Sequence, residues 1–227
     1  MTIKVDGMSE CLYNAEMYAH IALTAGVLAT VLIITGTFTP FWTVISGSVW
    51  SHSIDSSWRN NSMTSLGLGL WFQQMCTTDG CVTSFYPSDM YNVHVMDMTG
   101  LTEFRMYTSC GILLSISACI LCFLHIKEKS PKLTGFAASL MFLFSGIMIW
   151  LPAGKMIHRY VLFDTNLDEV GIPDNPLQFP YSAIICGVGG IMNGFCIFLV
   201  AGSVQKMWNY ASEFRHKRLE LNTFVQL

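Results

Sequence analysis

The sequence predicts a mainly α-helical membrane protein, a left-handed bundle of four transmembrane helices with a small disulfide-pinned antiparallel β-sheet on its extracellular side. Three observations carry this. Only 12% of the residues are charged and 52% are hydrophobic, where a soluble domain carries about 25% charge. Four runs, about 18–38, 107–126, 133–151 and 181–204, contain no Asp, Glu, Lys or Arg. Each is close to the roughly 20 apolar residues that a helix needs to cross the hydrocarbon core, and bundles of such helices are mostly left-handed. Finally, Cys76-Thr77-Thr78-Asp79-Gly80-Cys81 stands in the long connection after the first run and has the form of a stapled hairpin.

Lysine and arginine set the orientation. Lys127, Lys129 and Lys132 crowd the connection between runs two and three, and Lys206, Arg215, Lys217 and Arg218 follow run four. The two longer connections carry only Arg59 and Arg105, and Lys155 and Arg159. Basic residues stay cytoplasmic. The chain is therefore expected to be one four-span domain, residues 1–227, in the plasma membrane. Both termini lie in the cytoplasm, the loops at about 39–106 and 152–180 are extracellular, and the tail 205–227 is inside. The first run starts late and lacks a small-residue cleavage site, so it reads as a retained span rather than a signal peptide. The net charge of −3 offers no basic field for nucleic acid.

Along run one, Ala19, Ala22, Gly26 and Ala29 recur three or four residues apart, a thin face suited to close helix packing. His20, beside it, reads as an ordinary interfacial histidine. The first outer loop reads as β: Phe41–Ile45 is aromatic and β-branched, and Leu66, Leu68, Leu70 and Phe72 alternate with Gly67, Gly69 and Trp71 as in one half-buried strand. Asp79-Gly80 is a hairpin signal, since glycine accepts positive φ. A four-residue loop sets Cys76 opposite Cys81.

Of eight cysteines, only Cys76 and Cys81 fall in an outer loop, where a disulfide persists. The alternative, a metal site, needs further ligands, and only His94 and scattered carboxylates are nearby. Asn60-Asn61-Ser62 is the one glycosylation acceptor in the outer loops, which points to Asn60. Trp150-Leu151-Pro152 reads as an interfacial tryptophan and a helix stop, and Tyr160–Phe163 as a short strand able to join the sheet. In run four, Gly190 and Gly194 form a small-xxx-small pair, expected to serve the bundle. Cys122, near the lysines at the cytoplasmic end of run two, is a palmitoylation candidate. Val225-Gln226-Leu227 has the form of a hydrophobic PDZ ligand, with Val225 and Leu227 in the pockets.

Taken together, Trp42 near the start of the first outer loop, Gly69-Leu70-Trp71, Cys76, Cys81 and Arg105 before run two resemble the claudin, peripheral myelin protein and calcium-channel gamma-subunit superfamily. The divergent Clc-like branch is one candidate within it. The topology of the whole chain fits, and the motif covers about residues 40–105. The resemblance implies that Trp42, Gly69, Leu70 and Trp71 pin the outer sheet to the helix ends. It also implies that Cys76 and Cys81 form the family bridge and that Arg105 closes the bottom of the sheet. The chain departs from the family in its short spacing between the cysteines.

The expected function is cell–cell contact or membrane-complex organisation through the extracellular β-domain. The alternative is an auxiliary, gamma-like subunit of an ion channel or receptor. Expected partners are the lipid bilayer, like or related four-span proteins or a channel, and a cytoplasmic PDZ scaffold. No ionisable residue sits in the middle of a run, where membrane chemistry would place one. No catalytic set, cofactor or metal is therefore expected. The outer loops are acidic, through Asp55, Asp79, Asp89, Asp97, Glu103, Asp164, Asp168, Glu169 and Asp174. Were they to line a paracellular path, they would favour cations.

Overall fold

The computed structural model describes residues 6–46, 63–85, 101–127, 132–170 and 177–225. Four helices account for most of them: α1 (Asp6–Phe38), α2 (Leu101–Lys127), α3 (Lys132–Val170) and α4 (Tyr181–Val225). Each contains a segment long and apolar enough to cross a membrane: Asn14–Phe38, Glu103–Lys127, Leu133–Leu162 and Tyr181–Asn209. Five strands form one antiparallel sheet: β1 (Thr43–Ser46), β2 (Met63–Leu68), β3 (Phe72–Thr77), β4 (Gly80–Phe85) and β5 (Leu177–Gln178), in the order β4-β3-β2-β1-β5. Four strands come from the first long connection, and the short β5 comes from the second.

The chain divides into two compact units. The first comprises Met1–Ala29, Leu113–Ser145 and Met192–Leu227, the second Thr30–Ile112 and Gly146–Ile191. The first unit is helical. Its core gathers Ala22, Ala118, Cys122, Ala138, Phe142, Cys196 and Val200. The small face of α1 packs here. Ala19 and Ala22 are fully buried, and a Cβ on Gly26 would stand 2.8 Å from the Phe142 ring. Small residues let the backbones of neighbouring helices approach closely.

The second unit holds the sheet and the helix segments next to it. Its core is Ile33, Trp42, Leu70, Phe104, Ile149, Met156, Ala183 and Cys186.

Four local expectations are corrected. The alternation at residues 66–72 is two strands, not one. Gly69 donates its N–H to the Phe72 carbonyl at 2.8 Å and closes a hairpin at Leu70-Trp71. Leu70 is buried, so the alternation runs straight through the turn and hides it. Residues 160–163 are helical, and the strand that joins the sheet is β5, which pairs with β1. A four-residue apolar run does not separate helix from strand by period, and the next glycine, Gly171, comes only after α3 has ended. Pro152 is no stop but lies inside α3. It forfeits one bond, to the carbonyl four residues back, which an apolar helix with neighbours tolerates. Gly194 has nothing within 4 Å of its Cβ position, whereas Gly190 meets Ile149 at 3.1 Å. Only Gly190 of that pair therefore serves helix packing.

Candidate functional site

The residues of the Gly-Leu-Trp stretch meet where the sheet joins the helix ends of the second unit. Trp42 is fully buried. Its indole Nε1–H donates to the Gly36 carbonyl at 2.8 Å, and its backbone N–H to Leu68 at 3.1 Å. One residue thus ties the last turn of α1 to the sheet, and its ring lies 6.3 Å from that of Phe104 on α2. A Cβ on Gly69 would lie 2.7 Å from the Pro40 Cα and the Thr39 oxygen. Only glycine lets the β2–β3 turn sit on this backbone. Leu70 fills the core, and Trp71 stacks on Phe38 with centroids 6.4 Å apart.

Arg105 completes the junction from α2. Its Nε–H donates to the Leu70 carbonyl. Its guanidinium carbon lies 5.4 Å from the centre of the Trp71 ring, in cation–π range. The side chain is nearly buried, and arginine suits such a place because its weakly hydrated planar fork donates and stacks at once.

Two residues at this junction escaped sequence reasoning. Ser182, at the start of α4, shares a hydrogen bond of 2.7 Å with Thr39 and accepts the Phe41 N–H at 3.1 Å. Gly36 lets α1 and α4 touch, since a Cβ there would stand 2.7 Å from the Cys186 nitrogen. No local signal marks either residue. Nearby, Glu103 and Lys155 pair at 2.9 Å on exposed surface.

Cys76 and Cys81 face each other in register on β3 and β4 and are bonded, so they ligate no metal. Among the described residues, no three His, Cys, Asp or Glu side chains gather into a metal-holding group. The hairpin is tighter than expected: Thr77 pairs with Gly80 around Thr78-Asp79. Gly80 is the first residue of β4 rather than a central turn residue, with φ at +151°. β4 forms one edge of the sheet. It is exposed along its length, with Val82 69% and Phe85 70% exposed.

The remaining predicted residues lie apart from this junction. Asn60 and Leu227 are outside the described residues, as are Asp55, Asp89, Asp97, Asp174 and His94. Val225 ends α4. Cys122 is buried in the first unit, its thiol 3.6 Å from the Ala19 carbonyl, so acylation there requires it to leave that contact.

Sequence reading also missed two buried polar groups of the first unit. Asn193 donates to Ser145 at 2.9 Å and to Ser115 at 3.1 Å, joining α4 to α3 and α2. His125 Nε2 lies 3.2 Å from the Ser203 hydroxyl, which donates to the Ala15 carbonyl at 2.9 Å. A lone asparagine in an apolar run was the available signal, because such a residue is costly in lipid unless partnered.

Four helices of this length and apolarity fit the class of multi-pass membrane proteins. No protein-family model matches the chain, and no curated protein does.

Proposed function

We propose that the four helices cross the plasma membrane as a left-handed bundle, with the sheet outside and both termini in the cytoplasm. On this reading the chain is a claudin-like four-span protein. It acts in cell–cell contact or membrane-complex organisation through its extracellular β-domain. One observation supports this above the others. Trp42, Gly69, Leu70, Trp71 and Arg105, the residues that carry the resemblance, share a single junction and fasten the sheet to the helices. A sheet held so firmly presents, among the described residues, its terminal strand in a fixed orientation. That strand is β4, which carries no charged residue and exposes Val82 and Phe85. An uncharged exposed edge is a template for pairing. The lysine and arginine asymmetry supports the orientation.

The test is expression in cells that form no contacts of their own. Signal should concentrate at borders between two expressing cells and should spread over the surface when Val82→Lys places a charge on the edge. An even surface signal with a co-purifying ion channel or receptor would instead support the auxiliary-subunit role. Orientation is read separately. A tag near residue 60 should be reached in intact cells and one at residue 130 should not, and Asn60 should carry glycan.

A further inference from the structure

β4 is the terminal strand of the sheet, and its strand partner among the described residues is β3. It is exposed from Gly80 to Phe85, and none of its residues belongs to the core that Trp42 and Leu70 share. A strand that adds no apolar face gains little beyond its ladder. Side-chain contacts to β3 supplement that ladder. Gln73 donates to Ser84 and Gln74 to Thr83, each at 3.3 Å, and the Phe72 and Phe85 rings lie 4.3 Å apart. Hydrogen bonds between neutral groups contribute modestly once water competes for them. The Cys76–Cys81 bond is therefore a covalent tether on a strand that core packing does not hold.

The same bond is open to attack. Cys81 is exposed and Cys76 half-buried. Cys81 stands on the terminal strand, and no described strand flanks it on the side away from Cys76. A thiolate displaces one sulfur of a disulfide at a rate set by access and by which sulfur is attacked. Exposed disulfides form the labile class, whereas structural ones resist reduction.

We propose that Cys76–Cys81 is a redox latch on β4, opened by a dithiol reductant outside the cell. The reductant's thiolate attacks the Cys81 sulfur, and the Cys76 sulfur leaves as a thiolate and takes up a proton. The reductant's second thiol then attacks its own sulfur in the mixed disulfide, which releases the Cys81 thiol. In balance, the protein disulfide is reduced to two thiols and the dithiol is oxidised to a disulfide. Reduced, β4 keeps only its ladder and the contacts to Gln73, Gln74 and Phe72, and it opens from β3 while the helices stay in place. The consequence rests on the contact reading above, because an opened β4 no longer offers the edge that a neighbouring copy would pair with.

The test treats the full chain, purified in mild detergent, with reduced thioredoxin and no denaturant. Thiols are then mapped by alkylation and mass spectrometry, and amide hydrogen exchange is followed along the chain. Cys76 and Cys81 should both become alkylated. Exchange over residues 80–85 should accelerate by roughly thirtyfold, the factor that so short a loop closure confers, with the four helices unchanged. A pair that alkylates only after denaturation overturns the latch, and so does exchange at 80–85 that is equal in oxidised and reduced protein. Loss of protection that spreads through the helices overturns it too, because the bond then holds the fold rather than the strand. In expressing cells, thioredoxin added outside should disperse the border signal, and a signal that persists with both cysteines alkylated overturns the regulation. Failure of the contact reading looks different: untreated cells then lack border signal, while alkylation and exchange on the purified chain still decide the latch.

Discussion

Arg105 on α2 donates its Nε–H to the carbonyl of Leu70, 35 residues earlier in the chain. The acceptor is backbone in the turn between β2 and β3, and the donor is an arginine near the start of a helix. This one bond makes the hairpin's position depend on the helix. Replacing Arg105 with Met keeps most of the stem packing but leaves the Leu70 carbonyl without this donor. A hydrogen bond to a charged group is worth about 1.5–3 kcal/mol, so the thermal midpoint in detergent should fall by several degrees. Arg105→Lys should recover little of it, since the ammonium cannot donate and stack at once. An unchanged midpoint in both variants would remove the junction's central contact from the account.

The Cys76–Cys81 bond closes a short loop. By loop-closure entropy it stabilises the sheet by roughly 2 kcal/mol. The pair should resist alkylation in surface protein, and Cys76→Ser with Cys81→Ser should lower both thermal stability and surface delivery. Mass spectrometry that finds two free thiols on protein from the cell surface would contradict the structure here.

Asn193 holds two serines of neighbouring helices inside the first unit. Interhelical hydrogen bonds in membranes average about 0.6 kcal/mol and reach nearly 2. Asn193→Ala loses two of them and leaves a gap, and should destabilise by about 1–3 kcal/mol. Double-mutant cycles with Ser145→Ala should show positive coupling, whereas strict additivity would mean that the two side chains do not act together.

Two glycines give a paired prediction. A Cβ on Gly36 meets backbone of α4 at 2.7 Å, and one on Gly194 meets nothing within 4 Å. Gly36→Ala should therefore push α1 from α4 and cost about 2 kcal/mol or more, as overpacking typically does. Gly194→Ala should be neutral or slightly stabilising through its higher helix propensity. Equal melting shifts for the two would contradict the packing described.

The tail offers a prediction about strand addition. α4 continues to Val225, whereas a PDZ groove takes its ligand extended. Binding therefore requires the last helical turn to unwind, which helix ends do readily. A peptide of the last ten residues should bind a PDZ array more tightly than the full chain does. If neither binds at about 100 μM, worth only about 5 kcal/mol, the tail is no scaffold anchor.

The four apolar helices, the antiparallel character of the sheet and the Cys76–Cys81 bridge were legible because each follows from short-range rules. An uncharged run of about 20 residues has one good solution in lipid, and a bridged hairpin declares itself by its turn and its cysteines. The corrections share a different origin. Leu70 looked like a strand residue because burial in a turn and burial in a strand leave the same letter. Residues 160–163 looked like a strand because a short apolar run is ambiguous until its neighbours are known. Gly190 and Gly194 looked alike, yet only Gly190 faces Ile149.

By itself, then, the sequence determined which segments are apolar helices, which region forms strands and which cysteines join, since composition and local spacing decide those. Tertiary structure alone decided that Ser182 stitches α4 to the start of the sheet, that Gly36 is a contact between helices, and that Asn193 bridges to Ser115 and Ser145. It also brought β5 across from the second loop to pair with β1. Each of these joins residues far apart in the chain. The free energy of such a contact depends on a partner's position, which no window of neighbouring residues contains.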